Sequence, residues 1–292
     1  MSRLKAEAAL GANTLIWGAT FVLVKAALGG VSPVLFLALR FTLAAAALAV
    51  LFRGAWRRRF TWPAARAGVL AGTFLFAGYL LQTLGLRLTS APKSAFLTGL
   101  TSVMVPLLGS LVYKNRPQVS ELAGVLAATA GLALMSLPEG IGAMTRGDLL
   151  TVLCAVAFAL YIVTLGHFSE QMSFEILSVT QVATAAVLAL SLFAWVEKPR
   201  LEWQPAVVYA ILITGLLATA LAFTIQAWAM QYTTPTRTAL IFMLEPVVAW
   251  ITSYWIAGEG LSGRAAVGAA LILSGVLLVE LKPLQFRLHR SI

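Results

Sequence analysis

The stretch Tyr79-Leu80-Leu81-Gln82, followed by Thr89 and Lys93, returns 144 residues later as Phe223-Thr224-Ile225-Gln226, followed by Thr233 and Arg237. The same ungapped shift carries Leu100 onto Leu244, Gly124 onto Gly268, Gly131 onto Gly275 and Leu137 onto Leu281. A glutamine pair and two glycine pairs at one offset mark an internal duplication. Working outward, each copy holds five apolar runs. They lie at 8–28, 33–52, 67–88, 91–113 and 121–137, then at 149–168, 174–196, 206–232, 238–257 and 265–281. Each is close to the roughly 20 residues needed to cross a ~30 Å hydrocarbon core.

Composition demands such a solvent. Of 292 residues, 60% are hydrophobic and only 11% charged, with a mean hydropathy of +0.89. Too little charge exists to cover a water-facing surface. The runs lack period-two alternation, and backbone groups in lipid must be paired within the segment, so helices are expected rather than a barrel. The expected fold is therefore all-α: a polytopic membrane protein of ten transmembrane helices. Residues 1–292 form one membrane transport domain, with a first repeat at 8–137 and a second at 149–281. An odd number of spans per copy makes the second copy enter from the opposite face. The result is a five-plus-five inverted repeat, an architecture typical of transporters. The first run is longer than a signal-peptide core and carries Trp17 and Lys25, so it is read as an uncleaved span.

The formal net charge of +10 is sorted by loop. With the N-terminus in the cytoplasm, thirteen Lys and Arg fall on the cytoplasmic side and six outside. That bias follows the positive-inside rule, puts both termini in the cytoplasm and removes the need for a nucleic-acid partner. The expected partners are a small-molecule substrate and the lipid bilayer, and the chain is expected to be a monomer. Cys154 is the single cysteine, so no intramolecular disulfide is possible.

Motifs narrow the chemistry further. No G-x-x-x-x-G-K-[ST] is present, so no nucleotide-driven pump is expected, and no H-E-x-x-H is present. Gly260-Leu261-Ser262-Gly263 matches the G-x-S-G of intramembrane proteases but has no histidine at its depth. Asp148 is the only aspartate, which rules out paired aspartate clusters for a metal-bound diphosphate. No enzyme, cofactor or metal site is expected.

Trp17-Gly18-Ala19-Thr20-Phe21, Arg40-Phe41, and Leu244-Glu245-Pro246 followed by Gly258-Glu259, together with the duplication, resemble the drug/metabolite transporter superfamily of EamA type. Within it the chain is most similar to the bacterial YddG-like aromatic amino-acid exporters. The family's G-E-R motif departs here to Gly258-Glu259-Gly260, and Lys114-Asn115-Arg116 stands in its place in the first copy. The resemblance implies an exporter in the bacterial cytoplasmic (inner) membrane.

Polar groups inside spans are costly, so each is a candidate. Gln82 and Gln226 each follow an aromatic by three residues, which puts amide and ring on one helix face. Such an amide can donate to a carboxylate and accept from an ammonium, or simply bond a neighbouring helix. Trp17, Tyr79, Phe158, Tyr161 and Phe223 would supply apolar walls. Glu245 contacts a substrate amine or couples a proton; alternatively it serves helix construction beside Pro246. Arg40 is expected to snorkel outward, or to pair with a carbonyl or with Glu245. Arg40, Pro106, Pro246, Gly124, Gly131, Gly268 and Gly275 are structural or gating candidates. The seven-residue glycine step should bring the fifth and tenth spans together.

The substrate class expected is small neutral or zwitterionic metabolites, amino acids including aromatic ones foremost, carried by alternating access between the repeats. Proton-coupled export of hydrophobic organic cations is the alternative, and a non-transporting sensor or assembly subunit the second.

Overall fold

The computed structural model describes residues 2–86, 88, 89, 91–114, 118–137, 143–257 and 262–280. Arg87, Asn115-Arg116, the Gly258-Glu259-Gly260 stretch and residues from Leu281 onward, with Lys282, Arg287, His289 and Arg290, lie outside the described residues. So do the side chains of Phe21 and Lys25.

Helices occupy all ten apolar runs: α1 Arg3–Ala27, α2 Pro33–Leu51, α3 Arg53–Arg59, α4 Trp62–Leu86, α5 Ala91–Gly99, α6 Thr101–Tyr113, α7 Val119–Ser136 and α8 Arg146–Ser169. They continue with α9 Phe174–Val196, α10 Pro205–Gly215, α11 Ala222–Ala229, α12 Pro235–Phe242, α13 Glu245–Ala257 and α14 Gly263–Glu280. Among the described residues, the only β-type pairing is one isolated antiparallel bridge, Val31 to Leu201, joining two loops. Among the described residues, seven helical stretches are long and apolar enough to cross a bilayer, and the apolar stretch Gly263–Val279 is shorter. The protein is an all-helical, multi-pass membrane protein.

Local sequence explains the helix starts. Pro33 and Pro205 open α2 and α10, where a missing N–H costs nothing. Thr145 caps α8 in a reciprocal box with Asp148, whose N–H donates to Thr145 Oγ1 at 3.2 Å. Thr234 caps α12 through Arg237 N–H at 3.3 Å.

Three features depart from the sequence expectation. The fourth run is two helices, α5 and α6, separated at Leu100, and the ninth is α12 and α13, separated at Met243-Leu244. The two breaks fall at the 144-residue offset. The eighth run stays continuous but takes a π-turn over Leu216–Leu221 between α10 and α11. The connection between the second and third runs holds the short basic helix α3, outside the ten expected spans.

Glycines set the closest approaches. A Cβ on Gly131 would strike the carbonyl of Gly268, and one on Gly124 the carbonyl of Gly275; the reverse holds for Gly268 and Gly275. These four positions bring α7 and α14 into backbone contact, antiparallel. Gly85 meets Thr151 and Gly147, and Gly78 meets the Phe158 ring, so α4 and α8 also run antiparallel at close range. Gly18 lies against Val248 of α13, and Gly72 against Gln181 and Thr184 of α9. Only Gly11, of the six glycines in α1 and α4, has open space beside it.

Helix directions follow from cross-contacts. Asn13 and Trp17 of α1 bond the carbonyls of Ala222 and Ala218, so α1 is antiparallel to α11. Tyr161 of α8 bonds Gln226, and Gly166 lies beside Met230, so α8 is parallel to α11. Hence α1 and α8 point in opposite directions. The largest buried cluster joins α2, α4, α6, α8, α9 and α11 around Phe41, Leu75, Val105, Tyr161, Leu177 and Phe223.

Candidate functional site

The π-turn organises the interior. One extra residue in a helical turn disturbs the i to i−4 ladder and leaves carbonyls for outside donors. Trp17 Nε1 donates to the carbonyl of Ala218 at 2.8 Å, and Asn13 Nδ2 to that of Ala222 at 2.8 Å. Residues four apart on α1 thus read carbonyls four apart on the facing helix. On the same turn, the hydroxyl of Thr219 accepts from Arg40 Nε at 3.0 Å and Nη2 at 2.8 Å. The Arg40 guanidinium also lies 5.3 Å from the Tyr79 ring centre and 5.5 Å from that of Phe41.

That corrects the reading of Arg40. It is buried, so it does not snorkel, and its partners are a hydroxyl and two aromatic faces rather than Glu245 or a carbonyl. Burial of its apolar stem among rings, with a forked donor satisfied at Thr219, is less costly than reaching for solvent from this depth.

The aromatic candidates fall into two joined groups. Trp17 packs on Phe223 with ring centres 5.7 Å apart and on Phe242 at 4.8 Å, and Tyr161 meets Phe223 edge-on at 6.1 Å. Tyr79 stands edge-on to Phe41 at 5.5 Å and to Phe158 at 5.3 Å. Such edge-to-face pairs fix ring orientation. Trp17, Tyr79 and Phe158 keep some accessible surface, while Tyr161 and Phe223 are buried.

The two glutamines differ. Gln226 is fully buried, accepts from the Tyr161 hydroxyl at 3.1 Å, and its Nε2 has no hydrogen-bond partner among the described residues. Gln82 is half-buried and its Nε2 donates a long bond, 3.4 Å, to Thr98 Oγ1. Glu245 opens α13 directly after the Met243-Leu244 turn. It is half-buried, and its carboxylate makes no hydrogen bond or ion pair among the described residues. Pro246, next to it, lies in the first turn, where it breaks no intrahelical bond. Pro106 sits inside α6 and is buried.

Sequence reasoning missed Asn13, Gln181 and Thr219. Gln181 Nε2 approaches the Phe223 carbonyl at 3.5 Å, and Asn13 Oδ1 and Gln181 Oε1 have no partner among the described residues. Asn13 and Gln181 stand in apolar runs just as Gln82 does, so the same rule of scarce polar groups would have found them. Thr219 carries no such signal. Among the described residues no cluster of His, Cys, Asp and Glu is arranged to hold a metal.

The profile of the EamA-like transporter family matches residues 5–137 and, a second time, residues 145–281. The chain belongs to the EamA-like transporter family. An uncharacterized transporter of Archaeoglobus fulgidus is 32% identical over 97% of this chain and 88% of its own length. A probable terminal-alkyne amino-acid exporter of Streptantibioticus cattleyicolor is 25% identical, covering 100% of this chain and 98% of the relative. A crystal structure 23% identical superposes with a TM-score of 0.81 over 96% of this chain and 98% of the other, a likeness of fold. The relatives of this chain are transporters.

Proposed function

We propose that the protein carries small neutral or zwitterionic metabolites, amino acids including aromatic ones foremost, outward across a bacterial cytoplasmic membrane by alternating access. The observation that carries this reading is the chemistry of the interior: aromatic rings and neutral amides, with Arg40 as its one cation among the described residues, already engaged by Thr219. A phosphorylated solute needs unengaged Arg or Lys at depth. A zwitterion needs separate weak partners for its two ends, which the amides of Gln82 and Gln226 supply, and Trp17, Tyr79, Phe158, Tyr161 and Phe223 take its apolar side chain. The amino-acid exporter among the relatives supports the same class.

Ten spans in two inverted repeats underlie the motion. Three things support that architecture. The family profile matches twice. The equivalent helices α1 and α8 run in opposite directions. Helix neighbours also exchange in pairs: α4 with α8 and α1 with α11; α1 with α13 and α6 with α8; α4 with α9 and α2 with α10. Substrate lies between repeats near the midplane in such carriers, and rocking of one repeat exposes it to either face. Both termini are cytoplasmic in this arrangement, so Arg57→Cys reacts with an impermeant maleimide only from the inner face.

The test is counterflow in liposomes over a panel of amino acids with ATP absent. Uptake of labelled substrate against an unlabelled load supports the reading; flux that requires ATP, or none for any amino acid, refutes it. Export of hydrophobic cations is the second reading, favoured by the unbonded carboxylate of Glu245. Thr101, which occupies the same place in the first repeat, is bonded instead to the carbonyls of Thr98 at 2.7 Å and Ala155 at 3.2 Å.

A further inference from the structure

Two buried ion pairs lie apart from the aromatic interior. In one, Asp148 of α8 receives Lys93 Nζ on Oδ2 at 2.7 Å and the Thr89 hydroxyl on Oδ1 at 2.6 Å. Lys93 Nζ also donates to the carbonyl of Ala143 at 2.7 Å. In the other, Glu7 Oε1 of α1 receives Arg237 Nη1 at 3.3 Å, the Thr233 hydroxyl at 3.0 Å and Arg3 Nε at 2.9 Å. Arg237 Nη2 donates to the carbonyl of Val279 at 3.1 Å.

The pairs are copies of one another. Thr89 and Lys93 stand 144 residues before Thr233 and Arg237, and Glu7 stands 141 before Asp148. Each has a carboxylate near the start of its helix, a threonine in the turn past the end of another helix and a cation at the start of the helix that follows that turn. All four charged residues are buried; the most exposed, Lys93, reaches 9%. Each pair joins one repeat to the other: Lys93 to Asp148 in one, Arg237 to Glu7 in the other. Because α1 and α8 are antiparallel, their starts lie at opposite ends of the bundle, and the two pairs with them.

We propose that these pairs are the two gates of the transport cycle. Lys93–Asp148 closes the pathway where α4 ends and α8 begins, the outer face in the topology above. Glu7–Arg237 closes it where α1 begins, the inner face. The inference rests on the alternating-access reading. Both gates are formed in this structure, and Gln226, Phe223 and Tyr161 between them are buried.

An ion pair suits a gate for a physical reason. Desolvation of two charges nearly cancels their attraction when closed, and water re-solvates both on opening. An apolar seal would lose its whole transfer free energy on exposure. The closed and open forms therefore stay close in free energy, as a two-state element must be for substrate to shift it.

The experiment uses two thiol reporters in the full chain. Cys154, buried with Sγ 4.0 Å from Thr98 Oγ1 of α5, lies just inside the first gate. Ile241→Cys, in a Cys154→Ser background, lies just inside the second, where Ile241 packs with Ala6 and Leu10. An impermeant maleimide is applied to cells for the outer face and to inverted vesicles for the inner. Asp148→Asn is expected to speed labelling of Cys154 from outside by about tenfold or more, the shift expected for a closed state disfavoured by a lost buried partner, and to leave Ile241→Cys protected. Glu7→Gln is expected to do the reverse. Lys93→Gln removes the partner charge and leaves Asp148 in its cap on α8, where it accepts from Thr145 N–H at 2.6 Å; it is expected to speed labelling of Cys154 as Asp148→Asn does, which separates gating from loss of the cap. The proposal is overturned if neither substitution changes its own reporter, if both reporters rise together in one variant, or if Lys93→Gln leaves Cys154 protected. Counterflow by the parental protein keeps the two readings distinct: parental flux without a reporter response in the variants sinks the gates alone, whereas a reporter response with no parental flux sinks the transport reading and leaves the pairs only as closures of the two faces.

Discussion

The hydroxyl of Tyr161 donates to the side-chain oxygen of Gln226 at 3.1 Å, where both side chains are buried between α8 and α11. The bond fixes the orientation of the amide and turns Gln226 Nε2 into a donor with no protein partner among the described residues. A substrate carboxylate would find there a donor that is already aimed.

Tyr161→Phe removes the donor and leaves Gln226 Oε1 buried without one. Its expected cost is about 1–3 kcal/mol of stability. Replacing both partners, Tyr161→Phe with Gln226→Leu, removes two polar groups together and should recover part of that loss. Denaturant unfolding in detergent measures the stability terms, and amino-acid flux should fall in every variant lacking Gln226. A double variant no more stable than Tyr161→Phe would show that the bond is not the reason for the loss.

Arg40 and Thr219 tie α2 to the π-turn. Thr219→Val keeps the shape and deletes the acceptor, so a buried guanidinium loses both of its bonds to the hydroxyl. The expected loss is about 1.5–3 kcal/mol, and Arg40→Lys should fall in the same range because an ammonium cannot reproduce the fork. Thermal unfolding of the two single variants and the double, read as a cycle, checks this; additive effects would mean that the two residues act independently.

The α7–α14 contact predicts a steep position dependence for small substitutions. Gly131→Ala drives a methyl into the carbonyl of Gly268, and about 1–3 kcal/mol of overpacking cost is expected. Gly11→Ala, where nothing lies within 4 Å, should instead stabilise α1 by up to about 1 kcal/mol through helix propensity. Equal melting temperatures for the two variants would contradict the close approach.

Those glycines show what was legible in the sequence. Backbone contact admits nothing larger, so Gly124, Gly131, Gly268 and Gly275 survive as a pattern that one offset reveals. Apolar runs are equally plain, because lipid leaves helices no alternative. The breaks at Leu100 and Met243-Leu244 were not legible. Leucine and methionine there fit a helix as well as a turn, and Pro246 lies two residues beyond the break it accompanies. The π-turn over Leu216–Leu221 has the same cause: its residues are ordinary for a span, and the extra residue registers only in the bonds that Trp17, Asn13 and Arg40 make to it. Lys93 and Arg237 were counted as loop charges. Their burial depends on Asp148 and Glu7, which lie in other parts of the chain, so periodicity within one helix carries no trace of it.

The substrate class turns on Glu245. A zwitterion held by Gln82 and Gln226 has no net charge for a carboxylate to neutralise, whereas a hydrophobic cation entering a membrane interior needs a counter-charge close by. Glu245→Gln keeps the size and hydrogen-bonding capacity of the side chain and removes only its charge. Amino-acid flux should therefore fall by no more than severalfold, while flux of a lipophilic cation, if the protein carries one, should be lost. Burial of an aromatic side chain among Trp17, Tyr79, Phe158, Tyr161 and Phe223 is worth about 1.5–3 kcal/mol. That is enough to rank phenylalanine above alanine as a counterflow substrate, yet weak enough to permit release. Competition by unlabelled amino acids against labelled phenylalanine gives the ranking directly. If Gln82→Ala and Gln226→Ala leave every amino-acid flux unchanged, the substrate does not lie between these helices. If Glu245→Gln abolishes amino-acid flux outright, the carboxylate, rather than the two glutamines, is the primary contact for the substrate amine.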